Sequence, residues 1–238
     1  HLPYIIVDKF PFLINLFHNF ENLLLKNKLN KKIVKPVFVT GLARSGSTII
    51  THILNHHLNL GSFLYKDLPF IENPYLWSFF NKFFYAGVKN KERVHGDNLI
   101  VGPDSPDPFE EIIWKKNLKK NYLSTKNQFL SKKFSNKKLE RSLKENINKI
   151  LYVRGNKQRY LSKGNYNITR IEYILKLFPD AKIVICIRKP TNQSISLTKV
   201  HQRFLKLSKK NQYLKKQLSI LGHYEFGQYR KAIYLDKK

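Results

Sequence analysis

Two short, uninterrupted apolar segments mark the centre of this chain. Residues 36–40 read Pro-Val-Phe-Val-Thr, and residues 181–187 read Ala-Lys-Ile-Val-Ile-Cys-Ile. Strands of a parallel sheet are buried on both faces, so they read as continuous runs of β-branched residues rather than as alternating ones. Both segments are therefore predicted as buried strands, and residues 159–163 are a further candidate strand.

Apolar residues at helical spacing lie between and after these strands. The spacing predicts helices over residues 48–58, 74–84, 109–118, 168–178, 193–205 and 208–221. Residues 102–108 hold three prolines and two aspartates and are predicted as a loop. Strands that alternate with helices predict an α/β fold with three layers, in which helices flank a central parallel sheet.

The first 33 residues are predicted as a separate N-terminal element. Residues 10–25 place apolar side chains near helical spacing but also contain His18 and Glu21. A membrane-spanning helix needs about 20 largely apolar residues, so no span is predicted. We expect an amphipathic helix packed on the domain, and a helix lying on a membrane surface is the alternative.

Residues 34–238 are predicted as one domain with a basic helical insertion at about 119–150. In that stretch lysines surround apolar residues that recur every three to five positions, which is typical of an amphipathic helix. Charged runs of this kind are usually solvated faces, and a site for an acidic partner is the alternative.

The composition favours anionic ligands. The 238 residues include 44 Lys and Arg against 16 Asp and Glu, which gives a formal net charge of +28. The apolar share of 42% excludes a disordered basic tail. A field this positive attracts phosphate, sulfate and acidic surfaces, although an A/T-rich genome would by itself enrich lysine. The single cysteine, Cys186, excludes a disulfide framework, and no cluster has the spacing of metal ligands.

A glycine-rich turn follows the first predicted strand. It reads Gly-Leu-Ala-Arg-Ser-Gly-Ser-Thr, and its candidate anion-binding residues are Gly41, Arg44, Ser45, Gly46, Ser47 and Thr48. Backbone N–H groups and the helix dipole make such a turn a cradle for phosphate. The spacing nearly matches the loop of nucleotide triphosphatases, but the lysine position is Ser47 and the positive charge sits at Arg44.

A second anion site is predicted after the last strand. Arg188 lies at the carboxyl edge of the sheet, where such folds bind ligands. Pro190 opens the next helix, and Ser196 lies two turns into it. With the first loop, this pair indicates a ligand that has two separate anionic ends.

These two motifs resemble those of sulfotransferases that use 3′-phosphoadenosine 5′-phosphosulfate (PAPS). Residues 40–48 resemble the family's 5′-phosphosulfate loop, T-G-x-P-R-S-G-T-T, with Ala43 in place of proline. Residues 178–183, with Arg188, Lys189, Pro190 and Ser196, resemble its 3′-phosphate segment. Shorter stretches, including residues 65–70, 95–97, 159–163 and 222–227, resemble a bacterial branch of the family. The resemblance implies the P-loop-kinase-like sulfotransferase fold.

The resemblance also implies the reaction and the roles of residues. A sulfuryl group would pass from PAPS to a hydroxyl or amine, without a metal, and adenosine 3′,5′-bisphosphate would leave. Arg44 would neutralise charge on the bridging oxygen, and Lys163 would contact the sulfonate. The N–H groups of Gly46, Ser47 and Thr48 would hold the 5′-phosphate, and Arg188 and Ser196 the 3′-phosphate.

A general base is needed to deprotonate the acceptor. The cytosolic branch places a histidine two residues after its lysine, but here that position is Asn165. Asp67 is our first candidate and His95 the second, with a loop histidine bonded to Asp97 as the plainer interpretation of His95. Asp104 and Glu72 stay open, and His56 and His57 are predicted to end the first helix of the domain.

Two other classes of function are weighed against this one. A P-loop kinase would need lysine at position 47 and an acidic strand end for magnesium. A binding protein for nucleic acid or another polyanion fits the charge, but no stacking platform of interleaved aromatics is evident. Within the sulfotransferase hypothesis, a glycan, a lipid head group or a small molecule is the expected acceptor. A cytoplasmic location, with peripheral contact at the inner membrane surface as an option, is expected.

Overall fold

The computed structural model describes residues 11–57, 59–122, 124 and 127–235. Its strands are β1 (Val37–Thr40), β2 (Leu60–Gly61), β3 (Lys91–Glu92), β4 (Ile100–Val101), β5 (Arg159–Lys163) and β6 (Lys182–Ile185). Four of them form a parallel sheet in the order β2-β5-β1-β6, and β3 pairs with β4 in an antiparallel ribbon. Val39 of β1 lies opposite Lys163 and Val184, so the carboxyl ends of the three central strands meet at one edge.

Helices cover this sheet and fill the sequence between its strands. They are α1 (Pro11–Leu24), α2 (Lys26–Leu29), α3 (Ser47–Asn55), α4 (Pro74–Tyr85), α5 (Glu111–Leu118), α6 (Lys137–Val153), α7 (Ile171–Leu177), α8 (Pro190–Lys210) and α9 (Gln212–Ile220). Single 3₁₀ turns occur at Tyr65–Asp67, Lys119–Asn121 and Asn165–Thr169. The predicted α/β class, with helices flanking a central parallel sheet, is confirmed.

The helix boundaries differ from the prediction mainly near the C-terminus. The helix expected over residues 193–205 continues as α8 to Lys210, and the one expected over 208–221 begins only after Asn211. The Asn211 side chain accepts hydrogen bonds from the N–H groups of Tyr213 and Leu214. This cap starts a new helix at a position that the pattern placed inside the helix predicted over residues 208–221. The predicted end of the helix over 48–58, at Leu58, lies outside the described residues.

The basic segment predicted as an insertion supplies part of the main core. Leu139, Leu143, Ile147 and Ile150 of α6 are buried together with Phe38 from the central strand. Lys137, Lys138 and Lys144 are exposed on the opposite face of α6, as the spacing predicts, whereas Lys149 is buried. The helix therefore contributes to the core of the domain. Residues 123, 125 and 126 of the predicted insertion lie outside the described residues.

Helix α1 attaches to the domain in the reverse of the expected way. Its apolar side chains Phe12, Leu16, Phe17, Phe20, Leu23 and Leu24 are exposed. The contact with the domain is polar: buried Glu21 lies 3.3 Å from Lys149 Nζ and accepts a hydrogen bond from Leu76 N–H at 2.8 Å. Residues 1–10 of the predicted N-terminal element lie outside the described residues. Within the described chain, none of the helices has the length and apolar character of a membrane span.

Candidate active site

The glycine-rich turn between β1 and α3 needs a glycine at its first position. Gly41 has φ of 142°, a conformation that side chains rarely adopt. A Cβ at this position would lie 2.5 Å from the carbonyl oxygen of Cys186, just after β6. The glycine therefore lets the turn pass directly beside the end of the neighbouring strand.

The turn then presents the start of α3. Gly46 and Arg44 both have positive φ, 99° and 72°, and these conformations orient the N-terminus of the helix. Ile50 N–H donates to Gly46 C=O at 3.2 Å. The N–H groups that precede Ile50 in the first turn have no partner within the helix, so they and the helix dipole can bind an anion.

A cleft of about 440 Å³ opens at this turn. Its walls come from the turn, the β3–β4 ribbon, the end of β5 and the start of α8. Arg44 Nε donates to Ser196 Oγ at 3.0 Å, and an Arg188 guanidinium N–H donates to the Arg44 carbonyl oxygen at 3.3 Å. The two motifs, about 150 residues apart in sequence, thus contact each other in one cleft.

The cleft contains two clusters of charge. Asp97 accepts from Arg44 at 2.6 Å and also pairs with Arg93, both in the wall of the cleft. Burial raises the pKa of Asp97, but the two guanidinium groups outweigh it and hold the pKa well below its usual range. In the second cluster, Asp107 lies 3.2 Å from Lys163 Nζ and accepts a hydrogen bond from the Tyr65 hydroxyl at 2.7 Å.

His95 lies in the same wall, in an apolar environment. Its ring packs edge-on against Phe204 and Phe226, with centroids 5.2 and 5.0 Å away. Burial, followed by the charge of Arg93, lowers the pKa of His95 to about 3, so the ring is neutral at physiological pH. Asp97 is engaged by the two arginines rather than by His95, contrary to the plainer interpretation of this histidine.

A polar chain links the turn to a second histidine. Ser47 Oγ donates to Asn165 Oδ1 at 3.4 Å, and Asn165 Nδ2 donates to Glu225 Oε1 at 2.7 Å. The other oxygen of Glu225 lies 3.5 Å from His223 Nδ1, and His223 lines the cleft. Burial lowers the pKa of His223, but Glu225 and then Asp107 outweigh it, so the net shift is upward.

Comparison with known proteins identifies the family. The profile of the sulfotransferase family matches residues 36–232. This chain belongs to the sulfotransferase family. The chain matches no curated protein.

The fold also resembles solved bacterial sulfotransferases. The TM-score is 0.50 with sulfotransferase STF1 from Mycobacterium tuberculosis, at 13% identity over 78% of this chain and 54% of that one. With sulfotransferase STF9 from Mycobacterium avium it is 0.47, at 15% identity over 90% of this chain and 63% of that one. The chain therefore spans between half and two thirds of the length of these structures, and the likeness to STF1 shows the fold alone.

The cleft brings together most of the residues predicted from sequence. Those that line it are Arg44, Gly46, Ser47, Thr48, His95, Lys163, Arg188 and Ser196. Gly41 and Ser45 lie behind this surface. Ser45 Oγ is buried and has no hydrogen-bond partner among the described residues.

Asp67, the first candidate for the general base, does not line the cleft. Its carboxylate is buried, pairs with Arg154 and accepts a hydrogen bond from Leu64 N–H at 2.7 Å. These contacts stabilise the turn after β2, so the role of Asp67 in this structure is structural. Asp104 and Glu72 lie outside the cleft as well, in ion pairs with Lys66 and Lys116.

The cleft residues that were not predicted from sequence include Arg93, Asp107 and His223. Asp107 belongs to the predicted loop 102–108, and His223 to the glycine-flanked stretch 222–227. The spacing of His223 and Glu225, two residues apart between glycines, was the available signal. Arg93 belongs to no motif. Among the described residues, no group of three His, Cys, Asp or Glu side chains could hold a metal ion.

Proposed function

We propose that this chain transfers a sulfuryl group from PAPS to a hydroxyl or amine acceptor. The observation that carries the proposal is the contact between the two anion motifs, in which Arg44 of the first reaches Ser196 of the second at 3.0 Å. Two positive ends in one cleft match a donor with a 5′-phosphosulfate and a separate 3′-phosphate. Membership in the sulfotransferase family supports the same reaction.

The residues present fit this donor. Four cationic side chains, Arg44, Arg93, Lys163 and Arg188, line the cleft against the carboxylates of Asp97 and Asp107. The N–H groups at the start of α3 that have no partner within the helix add neutral donors. The start of α3 would hold the 5′-phosphate, and Arg188 with Ser196 the 3′-phosphate. When bound, the donor supplies the sulfuryl group and a bisphosphate leaving group.

Arg44 and Lys163 would stabilise the negative charge that develops during transfer. Both side chains reach the cleft from fixed backbone, one from the turn and one from the end of β5. Preorganised cations at a developing charge are usually the largest contribution that a protein makes to such a reaction. The carboxylates Asp97 and Asp107 hold these cations in position.

His223 is our proposal for the general base. Glu225 lies beside its Nδ1, an arrangement that leaves Nε2 to accept the proton of the acceptor. Asn165, at the position where the cytosolic branch has its histidine, instead orients Glu225. Because a base works best with a pKa near the working pH, His223 suits the role better than His95. We do not retain Asp67 in this role.

The acceptor is proposed as a hydroxyl-bearing glycan, lipid head group or small molecule. It would approach from the side of the cleft that His223 and Asp107 line. The expected cytoplasmic location also stays a prediction.

Calorimetry with adenosine 3′,5′-bisphosphate, ATP and 5′-AMP tests the donor site. We expect the bisphosphate to bind most tightly, and Arg188→Ala to weaken it by about 10- to 100-fold, because a charge-assisted hydrogen bond is lost. Arg141→Ala, an exposed arginine on α6, is the matched control and should change nothing. Equal binding of all three nucleotides, with equal effects of both variants, would show that the net charge alone binds them.

A further inference from the structure

Helix α4 exposes four phenylalanines on one face. They are Phe79, Phe80, Phe83 and Phe84, and Phe83 is 81% exposed. Trp77 and Asn81 of the same helix are buried, and the Phe84 ring lies beside Trp77 with ring centroids 5.2 Å apart. Single exposed apolar residues are ordinary on a protein surface, but a contiguous cluster of aromatic rings marks an interaction site.

Lysines interleave and extend this cluster. Lys82 is exposed within the helix, and the exposed Val88 beyond it is followed by the exposed Lys89 and Lys91. Residues 74–91 contain no Asp or Glu. Aromatic rings with lysines beside them are the composition of segments that lie in the head-group region of a membrane. We call residues 79–91 the aromatic ledge.

The positive charge of this chain indicates which partner binds the aromatic ledge. A second copy of this chain would bring a further net charge of +28 and would set lysines against lysines. An anionic bilayer accepts both components, because acyl chains take up the rings and lipid phosphates pair with the lysines. We propose that the aromatic ledge docks this protein onto an anionic lipid membrane.

Helix α1 presents a second apolar stripe beside α4. Phe12, Leu16 and Leu23 are exposed on it, and α1 is held against the start of α4 by the hydrogen bond from Leu76 N–H to Glu21. The contact with the domain uses polar groups, and the apolar side chains are left outward. The neighbouring helices thus both offer apolar surface to the same kind of partner.

A short stretch of chain connects the aromatic ledge to the cleft. Val88 and Arg93, which lines the cleft, are five residues apart, so their Cα atoms lie within roughly 18 Å of each other. Docking through the aromatic ledge would hold the β3–β4 wall of the cleft close to the lipid head groups. The proposal concerns binding alone and does not rest on the proposed reaction.

Co-sedimentation of the full chain with vesicles tests the proposal. We expect binding to phosphatidylcholine vesicles that contain phosphatidylglycerol, and weak binding to pure phosphatidylcholine. The double variant Phe80→Ser with Phe83→Ser should lower the partition coefficient about tenfold or more, because two rings no longer enter the bilayer. The matched control is Ile53→Ser with Phe129→Ser, two exposed apolar residues outside the ledge, and it should bind as the original chain does.

A charge series separates docking from diffuse attraction. Replacing Lys82, Lys89 and Lys91 with Gln should weaken binding by about tenfold or more, because each lysine near the surface interacts with anionic lipid. Replacing Lys137, Lys138 and Lys144 of α6 changes the net charge equally and should have a much smaller effect. Equal losses in the two triple variants, or unchanged binding of the phenylalanine variant, would overturn the proposal. So would a dimer in sedimentation velocity that the phenylalanine variant dissociates.

Discussion

Two arginine–carboxylate pairs of this molecule differ in geometry and in surroundings. Arg170 and Glu111 form a two-point pair at 2.8 and 3.0 Å, both almost fully buried, with the guanidinium 4.5 Å above the Trp114 ring. Arg44 and Asp97 pair at 2.6 Å in the wall of the cleft. In the core, both carboxylate oxygens and both guanidinium ends are used within the pair.

The difference between these pairs lies in what else each arginine can bind. The Arg170 guanidinium is enclosed by the rings of Trp114, Tyr122 and Tyr166, so an exchange of partner would require unfolding. Arg44 shares Asp97 with Arg93, in a cleft where cations outnumber carboxylates. An incoming anion can therefore replace Asp97 as the partner of Arg44. The same pair of groups stabilises the fold in one place and prepares a binding site in the other.

The largest effect is expected from breaking the core pair. Arg170→Met should lower the free energy of unfolding by about 3–5 kcal/mol, because Glu111 is left buried without its countercharge. Urea denaturation of the variant measures this loss. Adding Glu111→Leu should restore a substantial part of it, since the isolated charge is removed. A loss below about 1 kcal/mol would mean that the core tolerates an unpaired carboxylate.

Breaking the cleft pair should change activity instead of stability. Arg44→Gln is expected to lower the rate of sulfuryl transfer by about 10²- to 10³-fold, because a preorganised charge at the reacting centre is lost. Thermal unfolding should shift little. Arg203→Gln, whose side chain binds the Val94 carbonyl oxygen near the same ribbon, is the control and should retain activity. A large drop in unfolding temperature with unchanged activity would place Arg44 among the structural residues.

The sequence was sufficient for the parts of this fold that depend on local pattern. Continuous β-branched runs predicted β1 and β6, and the glycine–serine turn predicted the start of α3. The motifs at Arg44 and Arg188 could be assigned to one cleft because parallel strands end at the same sheet edge. These inferences need only the spacing of apolar residues along the chain and the rule that ligands bind at the carboxyl ends of parallel strands.

Features that depend on long-range packing could not be predicted in this way. Asp67 falls in the expected sequence window for a base, but Arg154, 87 residues later, pairs with it away from the cleft. The apolar positions of α1 indicated an inward face, yet the buried Lys149 makes the polar side of α1 the inner one. His223 lies in the cleft only because the chain folds back towards the sheet after α9. The spacing of apolar residues does not predict this change of direction.

The pH dependence of activity should identify the base. The pKa of His223 lies above its ordinary value, so the fraction of base in its active, deprotonated form rises with pH through that higher pKa. The stabilisation from its pairing with Glu225 is present in full below the ordinary pKa and is lost as pH rises through the folded one. Activity should therefore rise over the range in which this stabilisation declines.

Two variants sharpen this prediction. His223→Gln should lower the rate by about 10²-fold and abolish the rise, because no base titrates in that range. Glu225→Gln should move the rise to lower pH, since the carboxylate that favours protonated His223 is gone. His95→Gln serves as the comparison and should keep the rise. If His95→Gln abolished the rise of activity with pH and His223→Gln kept it, His95 and not His223 would be the base.

The smallest effect is expected at the carboxylate that the cleft arginines share. Asp97→Asn removes the countercharge of Arg44 and Arg93 but keeps the size of the side chain. Because the incoming phosphate no longer competes with a carboxylate for these groups, adenosine 3′,5′-bisphosphate should bind about fivefold more tightly, as expected for about 1 kcal/mol. Calorimetry measures the change, and Asp180→Asn, a half-buried acid at the other end of the sheet, should have no effect. Weaker binding by Asp97→Asn would show that Asp97 positions the arginines for the ligand and does not compete with it.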